Sequence, residues 1–374
     1  MPTPYPASIL MTADTVGGVW TYALELVRAL APFGTRVALA TMGAPLAAHQ
    51  WEQAEALPNL TIYESSYRLE WMNEPWDDVA AAGEWLLQLE AQVQPDLVHL
   101  NGLVHSALPW QRPVLAVVHS CVLSWWQAVK GEDAPEIWAT YRRLVRQGLQ
   151  AADAVVAPTG AMLRAAQELY GPFQQSAVIH NGASPQAFRP VTKEPFIFGM
   201  GRVWDEAKNL ALLAQAAAGL PWPVYLAGDA RHPATGQVLE LPNVHFLGQL
   251  PASEVKHWLA RASIYALPAR YEPFGLSFLE AALAGCALVA GDIASLREVW
   301  GAAACYVPPQ DAAALHNTLF SLIEGESVRL NAAARAQTRA LQYTLARQVE
   351  EYGRLYQQLA LVPSTTGLAS TTSP

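Results

Sequence analysis

The chain has 374 residues, more than the roughly 100–200 of one ordinary domain, so two domains are expected. Hydrophobic residues make up 52% and charged residues 15%, with a mean hydropathy of +0.13, which excludes a largely disordered protein. A formal charge of −9 excludes the basic face of a duplex-binding protein, so no nucleic-acid partner is expected. The opening MPTPYPASILMTADTVGG lacks the basic and then apolar pattern of a secretory signal. The longest apolar run, 281–291, is far short of the roughly 20 residues that cross a bilayer, so a cytoplasmic location is expected. Cys121, Cys286 and Cys305 are scattered among apolar neighbours and read as core cysteines.

In chain order, short apolar runs at 8–12, 35–41, 96–101, 114–119 and 154–158 alternate with amphipathic stretches. That alternation predicts a parallel α/β sheet, whose strands are apolar throughout because helices cover both faces. The stretch NGASPQAFRPVTKEP, 181–195, has three prolines and neither a helical nor a strand period, as a linker does. A second series follows at 196–199, 224–228, 244–247, 263–268, 287–290 and 304–307. The expected organisation is an N-terminal domain over 1–185, a second domain over 186–340, a helix within 341–361 returning to the first domain, and a flexible Ser/Thr-rich tail over 362–374. Two doubly wound domains facing each other place a cleft at the carboxyl ends of both sheets, where such folds bind ligands.

Four segments at strand ends carry candidate chemistry. In RYEPFGLSFLEAALAG, Glu272 and Glu280 are separated by seven residues. Eight helical steps of about 1.5 Å put their backbones about 12 Å apart, near the length of a nucleotide-linked sugar. Between them the amides of Phe274, Gly275 and Leu276 open a helix towards hydroxyls or phosphate oxygens. In GMGRVWDEAKN, Arg202 and Lys208 form a basic pair at a strand-to-helix junction, a fork and a point charge suited to phosphate. In DTVGGVWTY, Gly17 and Gly18 open the first helix with amides that can face an anion. In PVLAVVHS, a buried strand ends in His119 and Ser120, and a lone histidine there is also compatible with a satisfied core residue.

Together these segments resemble the retaining glycosyltransferases of family 4, which have the GT-B fold. The likeness runs from Ile9 to about Leu359 and includes ADAVVAPTGAM, VIHNGASPQAF, VHFLGQL, SLREVWGAAACYVPP and EEYGRLY in family order. The resemblance implies that Glu280 holds the nucleotide ribose and that Glu272 contacts the donor sugar. It implies that Arg202 and Lys208 stabilise the leaving diphosphate, and that His119 lies near the donor sugar or the acceptor hydroxyl. Gly17 and Gly18 then belong to donor binding with Phe274, Gly275 and Leu276. No metal or other cofactor is expected, and the sequence has no Asp-x-Asp triplet. The donor is a UDP- or GDP-linked hexose. The acceptor is a glycan, a lipid-linked compound or a small molecule. Attack on the face the diphosphate leaves is preferred to a covalent intermediate on Glu272. A silent sugar-nucleotide-binding protein and a sugar-nucleotide epimerase of the same fold are the alternatives.

Nine of the 13 tryptophans precede residue 150, among them Trp71, Trp76, Trp125 and Trp126, and such faces stack on sugar rings as readily as they pack a core. The stretch 125–147 mixes aromatics with Lys130, Arg142, Arg143 and Arg146, a pattern shared by helices that rest weakly on the inner face of a membrane and by solvated helices.

Overall fold

The computed structural model of the protein describes residues 5–361 apart from 189–190, 232–235 and 237. Its apolar runs form two all-parallel sheets. The first contains β1 (Ser8–Asp14), β2 (Arg36–Met42), β3 (Leu60–Glu64), β4 (Leu97–Leu100), β5 (Val114–Val117), β6 (Ala154–Ala157) and β7 (Ser176–Val178) in the order 3-2-1-4-5-6-7. The second contains β8 (Glu194–Met200), β9 (Val224–Ala227), β10 (His245–Phe246), β11 (Ala262–Leu267), β12 (Ala287–Gly291) and β13 (Cys305–Val307) in the order 10-9-8-11-12-13. β4, β5, β6, β11 and β12 are buried along their whole length, the reason they read as unbroken apolar runs.

Strands β3 and β7 have no counterpart among the predicted runs. Both are sheet edges and only partly covered, so LTIYE and SAV keep polar residues that break the apolar signal. Strand order reverses between β1 and β4 in one sheet and between β8 and β11 in the other, and each reversal opens a crevice at the carboxyl ends. Cys121 and Cys286 are buried, whereas Cys305, on the edge strand β13, is partly exposed.

Helix Glu326–Ala340 packs Ala332, Ala336 and Ala340 into the second domain's core. The chain then crosses back, and helix Leu345–Ala360 delivers Val349, Tyr352, Leu355, Tyr356 and Leu359 to the first domain's core. The spacing is that of one apolar face. The two crossings touch: Ala183 N–H donates to the Tyr343 carbonyl at 3.1 Å, and Gly182 N–H donates to Gln348 Oε1 at 2.9 Å. A Cβ on Gly182 would lie 2.5 Å from the Thr344 carbonyl, so only glycine allows this approach. The sequence linker 181–195 thus includes this crossing and the first residues of β8, with 189–190 outside the described residues. The tail 362–374 also lies outside them. Among the described residues no helix is long and apolar enough to cross a membrane.

Candidate active site

On the second domain's side, the loop after β8 carries Arg202 and Lys208, and the loop after β11 leads through Glu272 into helix Leu276–Leu283. Lys208 Nζ lies 2.6 Å from Glu272 Oε2, with the two side chains only 21% and 12% exposed. The other Glu272 oxygen accepts from the Gly275 N–H at 3.1 Å, and the Glu272 carbonyl accepts from Ser295 Oγ at 2.6 Å. Gly275 sits at φ 87°, in the left-handed region that favours glycine, and this turn is what folds Glu272 back onto the helix start. The expectation of a free Gly275 amide is therefore corrected: Glu272 occupies it in this state. Leu276 is the first helical residue, while the Phe274 side chain is buried against His180 and Tyr343 and belongs to the core.

Glu280 lies on the half-buried face of that helix, opposite Phe278, Leu279, Ala281 and Ala282. Burial pushes its carboxyl up to about 7, Lys256 opposing the shift and Glu25 of the first domain adding to it. Among the described residues it has no hydrogen bond or ion pair with Lys208 or Glu272. Arg202 is 41% exposed and its Nη2 lies 2.7 Å from Asp205 Oδ2, while its Nε is buried without a hydrogen bond. The guanidinium also stacks over Trp204 at 5.3 Å.

On the first domain's side, Gly17 caps helix Gly18–Leu30. Its N–H donates to Asp14 Oδ1 at 3.2 Å, so that amide too is engaged by a carboxylate, which corrects the reading of an open anion cradle at Gly17. Burial raises the Asp14 carboxyl above its ordinary value. A Cβ on Gly17 would stand 3.8 Å from both Arg202 Nη1 and Asp14 Oδ1, whereas one on Gly18 would meet nothing within 4 Å. Arg202 therefore reaches across the cleft to Gly17. His119, half-buried after β5, lies 2.7 Å through Nε2 from Asn101 Oδ1 and packs edge-on against Tyr22 at 4.4 Å. Burial holds its imidazole neutral by lowering its pKa to about 3. Among the described residues it has no hydrogen bond or ion pair with Glu272, Lys208 or Arg202.

Several residues around the cleft were not singled out in the sequence, and four of them, Asp205, Glu206, Tyr271 and Glu298, join the two domains. Asp205, buried, accepts from Arg202 and, through Oδ1, from Trp125 Nε1 of the first domain at 3.2 Å. Lys130 meets Glu206 at 2.7 Å. The Tyr271 hydroxyl accepts from Cys121 N–H at 3.2 Å and lies 2.8 Å from Ser124 Oγ. Glu298 accepts from Gly160 and Ala161 N–H, at 2.6 and 2.8 Å, capping helix Gly160–Tyr170 from the opposite domain. Glu70 accepts from Leu103 and Val104 N–H, and burial raises its carboxyl to about 7. The polar end of the run at 96–101 was the available signal for Asn101; the others pair over large sequence separations. The stretch 125–147 is two helices, Val122–Lys130 and Ala139–Ala151, not one interfacial helix. Trp125 and Lys130 turn to the other domain, and Tyr141 and Val145 enter the core, so the aromatic and basic residues are not gathered on one outward face.

Two doubly wound parallel sheets meeting over a polar cleft define the GT-B class of glycosyltransferases. The chain belongs to the glycosyltransferases that two family models describe, one over each domain: Glycosyltransferase Family 4 matches residues 16–187, and Glycosyl transferases group 1 matches 194–325. It is 28% identical over 272 residues to a glycogen synthase of Mycobacterium tuberculosis, covering 66% of this chain and 64% of that relative. The chain thus aligns with under two thirds of that relative's length. It is 26% identical over 256 residues to the D-rhamnosyltransferase WbpZ of Pseudomonas aeruginosa, covering 62% of this chain and 65% of WbpZ. Among solved structures it is similar to sucrose-phosphate synthase from Thermosynechococcus elongatus, with TM-score 0.76, 19% identity and coverage of 94% and 98% of the two chains. Anabaena HepE in complex with UDP-glucose gives TM-score 0.73 and 19% identity, covering 95% of this chain and 100% of that one. These two likenesses establish the fold.

Proposed function

We propose that the protein is a retaining, metal-independent glycosyltransferase that moves a hexose from a UDP- or GDP-linked donor to an acceptor hydroxyl in glycan or glycoconjugate synthesis. The observation that carries this reading is Glu280, a half-buried carboxylate without a hydrogen bond among the described residues, on the helix that Glu272 opens. A bare carboxylate in a low-dielectric crevice is costly unless a ligand supplies donors, and two adjacent ribose hydroxyls supply two. Family membership and the UDP-glucose held by HepE support a nucleotide sugar as that ligand.

In this reading the diphosphate enters between Arg202 and Lys208. It competes with Asp205 and Glu272 for them, and the uncommitted Arg202 Nε gains a partner. As the bond to the sugar breaks, charge grows on the leaving phosphate, and these two cations stabilise that charge more than they stabilise the bound donor. Glu272, freed from Lys208, turns to the hexose hydroxyls. Glu272 Oε1 still accepts the Gly275 N–H once Oε2 is freed, which suits a positioning carboxylate better than an attacking one and favours departure and attack on the same face. The contacts Trp125–Asp205 and Lys130–Glu206 hold the domains together at the cleft and limit water.

The test is thermal shift with UDP, GDP, ADP and their hexose conjugates, without added metal, followed by acceptor-dependent nucleotide release. The expected result is a raised midpoint with one nucleotide family and transfer with an acceptor. Binding without release would identify a silent sugar-nucleotide binder, interconversion of the bound sugar an epimerase, and no shift with any nucleotide would overturn the donor site.

A further inference from the structure

We propose that Asn101 is a positioning residue that fixes His119 in its Nε2–H tautomer, so that the ring meets a sugar hydroxyl in the cleft as a hydrogen-bond acceptor through Nδ1. The tautomer is independent of the function proposed above; the sugar contact rests on it.

The argument starts at Thr12, near the carboxyl end of β1. Its backbone carbonyl can only accept, and it lies 2.7 Å from the Asn101 amide nitrogen. Thr12 Oγ1 also accepts from the Asn101 N–H at 2.9 Å, so main chain and side chain of Asn101 are both pinned to the neighbouring strand. With the amide nitrogen turned to Thr12, the amide oxygen faces His119 Nε2 at 2.7 Å. An amide oxygen can only accept, so Nε2 carries the proton. The neutral ring then has its lone pair on Nδ1.

Two hydrogen-bonded neighbours, Tyr22 and His99, surround this arrangement. Tyr22 packs its ring against His119 and donates its hydroxyl proton to Tyr352 at 2.5 Å. His99, two residues before Asn101 on β4, lies 2.9 Å through Nδ1 from the Tyr356 hydroxyl and 3.4 Å through Nε2 from Tyr22. The floor beneath His119 is therefore tied to the returning helix. Nδ1 is the one polar atom of the His119 ring without a hydrogen bond among the described residues, and the ring is half-buried at a strand end on the cleft. Nδ1 there accepts a hydrogen bond from a hydroxyl and has no proton to give, which separates this role from that of a general acid.

The experiment is ¹⁵N-histidine NMR on the full chain, whose nine histidines keep the side-chain spectrum tractable. The His119 signal is identified by its loss in His119→Gln. Wild type is expected to show the Nε2–H pattern, and Asn101→Asp to keep it, because a carboxylate also only accepts. Asn101→Leu is expected to lose it. In the same variant kcat should fall roughly ten-fold while affinity for UDP or GDP stays within about two-fold, with partial recovery in Asn101→Asp. An Nδ1–H pattern in wild type overturns the proposal even if no Asn101 variant folds. An unchanged tautomer and unchanged kcat in a folded Asn101→Leu overturn it as well. If the tautomer behaves as expected but no nucleotide binds, the positioning role stands and the sugar contact falls with the transferase reading.

Discussion

On the second domain's side of the cleft the polar groups are charges held in pairs, Lys208 with Glu272 and Arg202 with Asp205. On the first domain's side the ring of His119 is neutral, and Asp14 and Glu70 are carboxyls pushed up by burial and satisfied by backbone N–H groups. Two doubly wound parallel sheets therefore line one cleft with different electrostatics. A wall of paired ions can exchange partners with an anionic ligand at reduced desolvation cost, because Lys208, Glu272 and Asp205 are already largely out of water. The neutral ring of His119 orients hydroxyls without attracting charge.

The sharpest way to break this contrast is at the ion pairs. Arg202→Ala with Lys208→Ala should lower kcat about a thousand-fold and donor affinity only about ten-fold, read by single-turnover transfer and calorimetry. Equal losses would make the pair mere anchors. Next, Glu280→Ala should weaken nucleotide binding about 10- to 100-fold at about pH 8. The wild-type affinity should fall as pH drops through about 7, because protonation removes the charge and turns one of the two accepting oxygens into a donor, and Glu280→Gln should abolish that slope.

Glu70 sharpens the other side. Its folded-state carboxyl is raised to about 7, above its unfolded value, so the folded state holds the extra proton. Its contribution to stability is fully present at low pH and lost as pH rises from about 4.5 to about 7, at most about 3 kcal/mol. Glu70→Gln should flatten the decline in Tm between about pH 5 and about pH 8; an unchanged slope would show that Glu70 ionises freely. The smallest effect is expected for Trp125→Phe, which removes the indole donor to Asp205: a fall in kcat of about two- to five-fold with Tm nearly unchanged.

The buried strands were legible because both faces of each are covered, and the edge strands β3 and β7 were not, because exposure restores polar residues to them. Glu272, Glu280, Arg202 and Lys208 stood out as charges at strand ends in a chain poor in charge. Their partners did not. Asp205 meets Trp125 across 80 positions and Glu298 meets Gly160 across 138, separations at which no local period survives. The occupied amides of Gly17 and Gly275 were hidden for a related reason, since a glycine before a helix signals a turn but not which carboxylate folds back onto it.

The returning helix bears on how the chain is made. The first domain's core takes Val349, Tyr352, Leu355, Tyr356 and Leu359 from it, and Tyr22 and His99 find their hydroxyl partners there. During synthesis the first sheet emerges early yet lacks these residues until the second domain has been translated. The second domain can therefore complete its core before the first does, reversing the usual N-to-C order of folding, and the half of the molecule made first waits longest with its apolar face open to chaperones.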